Sequence, residues 1–408
     1  MRLAWIGLCL LLLPLGSRAE ELERLERDTQ LTMSQVVAKA YERNPQQQVI
    51  NAGKVMADAR SIQAGSMLPG APAISVRHQN DTIGSGRNLN EWEAAVELPV
   101  WLPGQRAARE SVARDWGSSV EANRSGLMLN LAGQVREAVW DVAMNANTAE
   151  LADQRVKNAL ALQQDVEKRW KAGELAKTDV MLAQNETLQA QTAQLRAQAE
   201  LKHAEHRYWM LTGLKALPGH PEENESSRSG LADDHPLLAE SAAKVTLAQG
   251  ERALVQVEKR ENPQVILNTR HDRGAFDSQF DTSVGVAIRV PLDAGVRSAP
   301  LVANAEMGLA QAMSERDQRQ LVLLAALHEA EHNLEVTRAE LNIVEEQHRL
   351  AQENLRLARK AFDLGESDLV NLLRVQASAQ EAERMLRSRT TQLQWDIARY
   401  NQAVGVLP

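Results

Sequence analysis

The chain has 408 residues, a formal net charge of −8 at pH 7, 3% aromatic residues and one cysteine. An acidic chain with no cluster of basic and aromatic residues is a poor partner for nucleic acid, and one thiol excludes an internal disulfide or a thiolate metal site. The abundance of Ala, Leu, Gln, Glu and Arg favours long helices.

The first 19 residues have the features of a secretory signal peptide. Arg2 precedes an apolar run at 3–15, and small residues follow up to Ala19, where we expect cleavage. A transmembrane helix is the alternative, but it needs about 20 apolar residues. We therefore predict that residues 1–19 are removed, and that Cys9 leaves with them without being lipidated.

Proline positions divide the rest of the chain, because a proline inside a helix costs about 3 kcal/mol. Two tracts, 104–217 and 301–407, contain no proline. Their apolar residues recur every three or four positions, which is typical of helices. Each tract is predicted to form two long helices joined by one turn. After the signal, no segment approaches 18 apolar residues, so any membrane-crossing part must consist of strands.

The two tracts belong to an internal duplication. Residues 173–213 and 365–405 align without a gap at an offset of 192, and Pro99 and Pro291 differ by the same 192. The aligned segments share glycines at both ends and an Arg-Tyr pair, which similar composition alone does not produce. We place the first repeat at 20–230 and the second repeat at 231–408.

Each repeat is predicted to contain a helical segment, two strands and a long helical hairpin. The strands fall at about 72–100 and 263–291, and the hairpins at about 104–213 and 299–405. The second strand of each pair alternates between apolar residues and the charged Glu93, Glu97, Asp281 and Arg289. This alternation is typical of strands between lipid and a watery lumen, and also of half-buried strands in soluble sheets. Four strands cannot close a barrel, which needs about eight, so several chains must pool theirs.

The order of these elements resembles the TolC-type outer-membrane factor family. The resemblance is carried by the strand-to-helix corners at 98–106 and 290–297, by residues 364–376 at a helix turn, and by Asn44-Pro45. The resemblance covers residues 31–405. Within the family, the sequence is most similar to the CzcC-like heavy-metal-cation efflux branch. The resemblance implies a mainly α protein with a small β part. It forms a homotrimer with a 12-stranded β-barrel in the outer membrane and a periplasmic α-helical tunnel.

The resemblance also implies a function and its partners. The chain is expected to be the outer-membrane channel subunit of a tripartite efflux system. It would receive heavy-metal cations from an inner-membrane resistance-nodulation-division pump through a periplasmic adaptor (membrane fusion) protein. No catalytic, cofactor or metal-binding residue is expected.

Three groups of residues carry the implied site. The periplasmic tip and adaptor contact is expected at Gly173, Glu174, Asp179, Gly365, Glu366, Asp368 and Asn371. The strand-to-helix corners are Pro99, Pro103, Gly104, Pro291 and Gly295, and the barrel lumen is expected to contain Glu93, Glu97, Asp281 and Arg289. Family members carry carboxylates six and nine residues after the second tip glycine. Here those positions are Asn371 and Arg374, so that acidic gate is not reproduced.

Two other functions fit parts of the sequence. A periplasmic adaptor or coiled-coil scaffold also has long proline-free hairpins, although adaptors usually carry one hairpin between β-rich lobes.

Residues 328–332, His-Glu-Ala-Glu-His, match the HExxH pattern of zinc proteases. Their counterparts in the first repeat, residues 136–140, do not match it, and no third ligand is evident. A solvated helix face is the preferred interpretation.

Overall fold

The computed structural model describes residues 25–292 and 295–408. The predicted signal peptide and Cys9 lie outside the described residues. The elements in chain order are β1 (Glu26–Asp28), α1 (Met33–Arg43), α2 (Gln46–Gly65), β2 (Ala73–Asn80), β3 (Asn90–Pro99), α3 (Gln105–Lys171), α4 (Lys177–Thr212), β4 (Ala216–Pro218), α5 (Pro236–Val257), β5 (Gln264–Arg273), β6 (Asp281–Arg289), α6 (Ser298–Asp363) and α7 (Leu369–Ala403).

Two long helical hairpins dominate the fold. Helix α3 has 67 residues and α6 has 66, so each is about 100 Å long at 1.5 Å per residue. Helices α4 and α7 return along them, while α2 packs on α3, and α5 packs on both α3 and α6. This duplicated arrangement of strand pair and helical hairpin confirms the predicted fold class.

The two strand pairs join in one antiparallel sheet with the order β2-β3-β5-β6. The repeats meet where β3 pairs with β5, with Ala95 opposite Asn268. The two strand pairs span residues 73–99 and 264–289. Strand β5 continues to Arg273, and Asp272 pairs with both Glu91 and Asp281.

A second, very small sheet was not predicted from the sequence. Strands β1 and β4 pair in parallel, with Arg27 opposite Leu217. Three residues are too few for a periodic pattern, and the paired residues are 190 positions apart in the chain. The break between α1 and α2 falls at Asn44-Pro45, where the Asn44 side chain accepts a hydrogen bond from the Gln46 amide at 2.8 Å.

A buried arginine of α3 contacts both the linker between β4 and α5, residues 219–235, and the C-terminal segment after α7. Arg136 of α3 is 1% exposed and binds the Glu223 carboxylate with two hydrogen bonds of 2.7 and 2.6 Å. It also donates to the Gln402 side chain at 2.7 Å and to the Val406 carbonyl at 3.0 Å. The linker and the C-terminal segment are thus fixed on the first repeat.

The linker ends at His235, the N-cap residue immediately before Pro236 at the start of α5. The His235 Nδ1 accepts a hydrogen bond from the Leu237 amide at 3.3 Å, and the side chain is fully buried. This burial lowers the pKa of His235, because the charged imidazolium is poorly solvated there.

Among the described residues, no helix is both long and apolar enough to cross a membrane.

Candidate functional site: the sheet, its corners and the helix turns

One face of the four-stranded sheet is apolar and exposed. Ile74, Val284, Val286 and Ile288 are 79%, 83%, 70% and 69% exposed, and the strand register places all four on the same face together with Val96. This arrangement is unfavourable in water, because burying one such aliphatic side chain stabilises a protein by about 1.5–3 kcal/mol. A contiguous apolar face of this kind marks a surface that contacts another apolar medium or molecule.

Aromatic residues border this apolar face towards the β2–β3 and β5–β6 loops. Trp92 stacks on His78 with ring centroids 4.1 Å apart, and Phe280 stacks on His271 at 4.6 Å. The Arg273 guanidinium lies 4.8 Å from the Phe280 ring. Aromatic rings next to an apolar band are typical of the membrane–water interface in strand proteins.

The opposite face of the sheet carries the charges. It contains Glu93, Glu97, Asp281 and Arg289, so the structure brings all four predicted lumen residues to one face. Glu93 accepts a hydrogen bond from Asn268 at 3.0 Å, and Glu97 lies 3.7 Å from Arg289. The lumen role of these residues stays a prediction.

The strand-to-helix corners occupy corresponding positions in the two repeats. Pro99 ends β3, and Pro103 and Gly104 precede α3. Pro291 follows the end of β6, and Gly295 precedes α6. Gly104 and Gly295 both have φ of +79°, and their carbonyls accept the first helical hydrogen bonds, from Ala108 and Ala299 at 3.0 Å.

The first corner is held by a polar network that the sequence did not reveal. Gln105 is 1% exposed and donates to Glu258 at 2.8 Å and to Asn262 at 3.2 Å. Asn262 donates to the Val100 carbonyl at 2.9 Å, and Arg109 binds Glu258 at 2.6 Å. These partners lie about 150 residues apart in the chain, so no local pattern could have linked them.

The turns at the far ends of the two hairpins share one geometry. Gly173 and Gly365 have φ of +82° and +74°, a conformation that glycine adopts without the steric cost of a Cβ. The amide after each glycine, in Glu174 and Glu366, bonds a carbonyl five residues earlier at 2.9 Å in both cases. Helices that end at a glycine in this way reverse the chain sharply.

Acidic side chains begin the returning helices after both turns. Asp179 accepts a hydrogen bond from the Ala176 amide at 3.1 Å, and Asp368 accepts one from the Asn371 amide at 2.8 Å. Asn371 in turn accepts from Arg374 at 3.0 Å. Asn371 and Arg374, which lie six and nine residues after Gly365, therefore bind each other.

The structure brings the two turns side by side. Arg169 in α3 binds the Asp363 carboxylate at 3.0 Å, and its guanidinium lies 5.0 Å from the Phe362 ring. Beneath them, all four long helices contribute to one apolar cluster, which includes Val166, Val180 and Leu369. The predicted tip residues thus lie at one end of the molecule, and their contact with an adaptor stays a prediction.

The HExxH segment lies in the middle of α6. His328, Glu329 and His332 are exposed on the helix surface, whereas a zinc protease holds its metal in a cleft. Within residues 25–292 and 295–408, no group of three or more His, Cys, Asp or Glu side chains could hold a metal ion.

Comparison with known proteins gives matches in sequence and in structure. No family model matches the chain. A stretch of 212 residues, 49% of this chain, is 26% identical to the cobalt-zinc-cadmium resistance protein CzcC of Cupriavidus metallidurans. The match covers 50% of CzcC, so the chain spans about half the length of the curated relative that it matches.

Two solved structures have the same architecture. The outer membrane protein VceC of Vibrio cholerae superposes with a TM-score of 0.71 at 16% identity, over 92% of this chain and 97% of that chain. CusC, whose structures concern folding and transmembrane channel formation, superposes with a TM-score of 0.72 at 14% identity, over 92% of both chains. At such identities the likeness establishes the fold, and the fold that the family resemblance implied is confirmed.

Proposed function

We propose that this chain, which has the fold of the outer-membrane efflux channels, is the outer-membrane channel subunit of a tripartite resistance-nodulation-division efflux system. Its strands cross the outer membrane, and its long helices extend into the periplasm. Three chains pool their four-stranded sheets into a 12-stranded barrel, and substrate passes through it without a chemical step.

The exposed apolar face of the sheet is the observation that carries this proposal. Val284 and Val286 remain 83% and 70% exposed on β6, which has 9 residues, a length that crosses the hydrocarbon core when the strand is tilted. The charged face then lines a water-filled lumen with Glu93, Glu97, Asp281 and Arg289. A periplasmic adaptor would have no lipid to cover the apolar face.

The substrate and the partners follow from the relatives. The name of CzcC refers to cobalt, zinc and cadmium resistance, which supports heavy-metal cations as the exported substrate. The two glycine turns, with Glu174, Asp179, Glu366, Asp368 and Asn371 around them, form the periplasmic tip that meets the adaptor. An inner-membrane pump supplies the driving energy, so the channel needs no cofactor.

The test begins with the full chain expressed in a bacterium that lacks its own cation-efflux channel. Membranes are fractionated, and the outer-membrane fraction is run on SDS gels with and without heating. Purified protein is then inserted into planar bilayers, and its conductance is recorded. Separately, cells that express the chain together with the matching pump and adaptor are grown in graded concentrations of cobalt, zinc and cadmium salts.

We expect an outer-membrane oligomer near three times the monomer mass, discrete conductance steps, and tolerance that requires all three components. A soluble periplasmic monomer without conductance would contradict the channel function. A conducting trimer that leaves cobalt, zinc and cadmium tolerance unchanged would contradict the substrate assignment alone.

A further inference from the structure

Three exposed histidines on the long helices have no role in the channel function proposed above. His206 belongs to α4, and His328 and His332 are the two histidines of the HExxH segment in α6. Inside one chain, the described residues form no group of three side chains that could hold a metal ion. The internal duplication indicates which surfaces these histidines meet when several copies assemble.

Each of the three histidines has a buried counterpart in the other repeat. The offset of 192 between the repeats pairs His328 with Arg136, His332 with Trp140, and His206 with Ala398. The counterparts are 1%, 4% and 0% exposed, in that order. Positions that are buried between helices in one repeat are therefore exposed histidines in the other.

The counterparts lie together where α3 and α7 pack within the chain. These helices are antiparallel, and Glu137 binds Arg399 at 2.8 Å. In an antiparallel pair, one step forward on one helix matches one step backward on the other. One step from this contact reaches position 138 on α3 and Ala398 on α7. Ala398 is thus level with the midpoint between Arg136 and Trp140.

The same geometry applies between copies in the trimer proposed above. Helix α3 packs with both α4 and α7, and α7 packs with α6, so α4 and α6 end the row of four. In the closed helical tunnel of that trimer, α6 of one copy lies beside α4 of the next, as α3 lies beside α7. His206 of the next copy then faces the midpoint between His328 and His332.

Three imidazoles in this arrangement have the chemistry of a zinc site. Two histidines spaced by four residues lie on one side of a helix and can bind the same metal ion. A third imidazole that faces their midpoint gives three nitrogen ligands, which suits Zn²⁺. His203 lies three residues before His206 on the same exposed side of α4, so it can supply the fourth ligand.

We propose that His328 and His332 of one copy and His206 of the next copy form a Zn²⁺ site at each contact between subunits. The proposal rests on the trimeric channel proposed above, and the ion is a structural link and not the exported cargo. It joins the periplasmic helices of neighbouring copies at a level where the contact inside the chain is closed by buried side chains.

The side chains around the three histidines are compatible with a bound cation. Glu329 lies next to His328 and is exposed. Arg207 lies next to His206, but its guanidinium is bound to Asp141 of the same chain at 2.5 Å, which offsets its charge. A carboxylate near the site favours a cation over the empty set of imidazoles.

Zinc titration of the purified oligomer tests the site. The full chain is purified from the outer membrane without a polyhistidine tag, freed of metal with a chelator and titrated with Zn²⁺ in a calorimeter. We expect one tightly bound Zn²⁺ per chain. Zn²⁺ should also raise the temperature at which the SDS-resistant oligomer dissociates, because an ion bound across the contact stabilises the assembled state.

Substitutions on either side of the contact should both remove the ion. His206→Ala and His332→Ala should each weaken Zn²⁺ binding by more than about 100-fold, since losing even a group behind a metal ligand costs up to that much. His348→Ala is the matched control, because His348 lies on α6, 16 residues from His332, which is about 24 Å along the helix. It should bind Zn²⁺ like the parent chain.

Mixed oligomers show whether the ligands come from two chains. When the His206→Ala and His332→Ala chains are expressed together, some contacts pair an intact α6 with an intact α4. These oligomers should regain part of the Zn²⁺ binding, which a site within one chain could not.

A conducting trimer that binds no Zn²⁺ tightly, or that still binds it after His206→Ala, overturns the metal site and leaves the channel function standing. A monomeric soluble protein overturns both.

Discussion

Arg136 is almost fully buried, and its Glu223 partner has only 10% of its side chain exposed. We expect Arg136→Met to lower the free energy of unfolding by about 3–5 kcal/mol, because it leaves a buried carboxylate without its partner. Urea unfolding followed by the helical circular dichroism signal measures this loss. Adding Glu223→Gln to the variant should recover part of it, since the uncompensated charge is then removed.

The duplication supplies a matched control at the residue scale. His328 is the counterpart of Arg136 at the offset of 192, and it is exposed on α6. His328→Met should change the free energy of unfolding by no more than about 0.5 kcal/mol. Equal losses at the two positions would contradict the assigned role of the Arg136 network.

At the element scale, α4 and α7 have similar lengths but different outer surfaces. Leu188 in α4 is 62% exposed, and its counterpart in α7 is Gln380. Leu188→Lys should weaken the contact between subunits of the proposed trimer, because a charge replaces an exposed apolar residue of a long helix that packs against a neighbouring subunit. The measurement is the temperature at which the SDS-resistant oligomer dissociates, which we expect to fall.

Gln380→Lys is the control for this substitution, because α7 already has a polar residue at that position. It should leave the dissociation temperature nearly unchanged. An oligomer that tolerates Leu188→Lys as well as Gln380→Lys would show that α4 does not lie at the interface.

At the scale of the whole molecule, the two faces of the sheet determine its placement. Val284 lies on the apolar face and Ser283 on the charged face, next to each other in β6. Val284→Arg should cost about 2–4 kcal/mol if lipid covers its face, because an arginine near the bilayer midplane is poorly solvated. We expect less Val284→Arg protein than parent protein in the outer-membrane fraction.

Ser283→Arg places the same charge on the lumen side, and its recovery should match that of the parent chain. Quantitative immunoblots of the membrane fractions compare the two variants. Equal losses for both would indicate that water covers both faces and would contradict the membrane placement of the sheet.

Local patterns in the sequence were sufficient for the long helices, the strands of the four-stranded sheet and the two glycine turns. Prolines bound the long helices, glycines at 173 and 365 mark the turns with positive φ, and the alternation of β3 and β6 predicts the two faces of the sheet. These features depend on a residue and its near neighbours, so periodicity and backbone sterics reveal them. The gapless offset of 192 also revealed the duplication before any contact was known.

The tertiary structure alone decided which surfaces meet. The Arg136 network, the cluster around Gln105 and the β1–β4 pair join residues 87 to 270 positions apart. A lone buried arginine or glutamine has no signature in sequence, because its role depends on the partners that folding brings to it. The sequence by itself determined a duplicated helical hairpin with an amphipathic strand pair. Packing decided that α3 meets α7 and that apolar residues such as Leu188 of α4 and Leu350 of α6 stay exposed, because burial depends on distant elements.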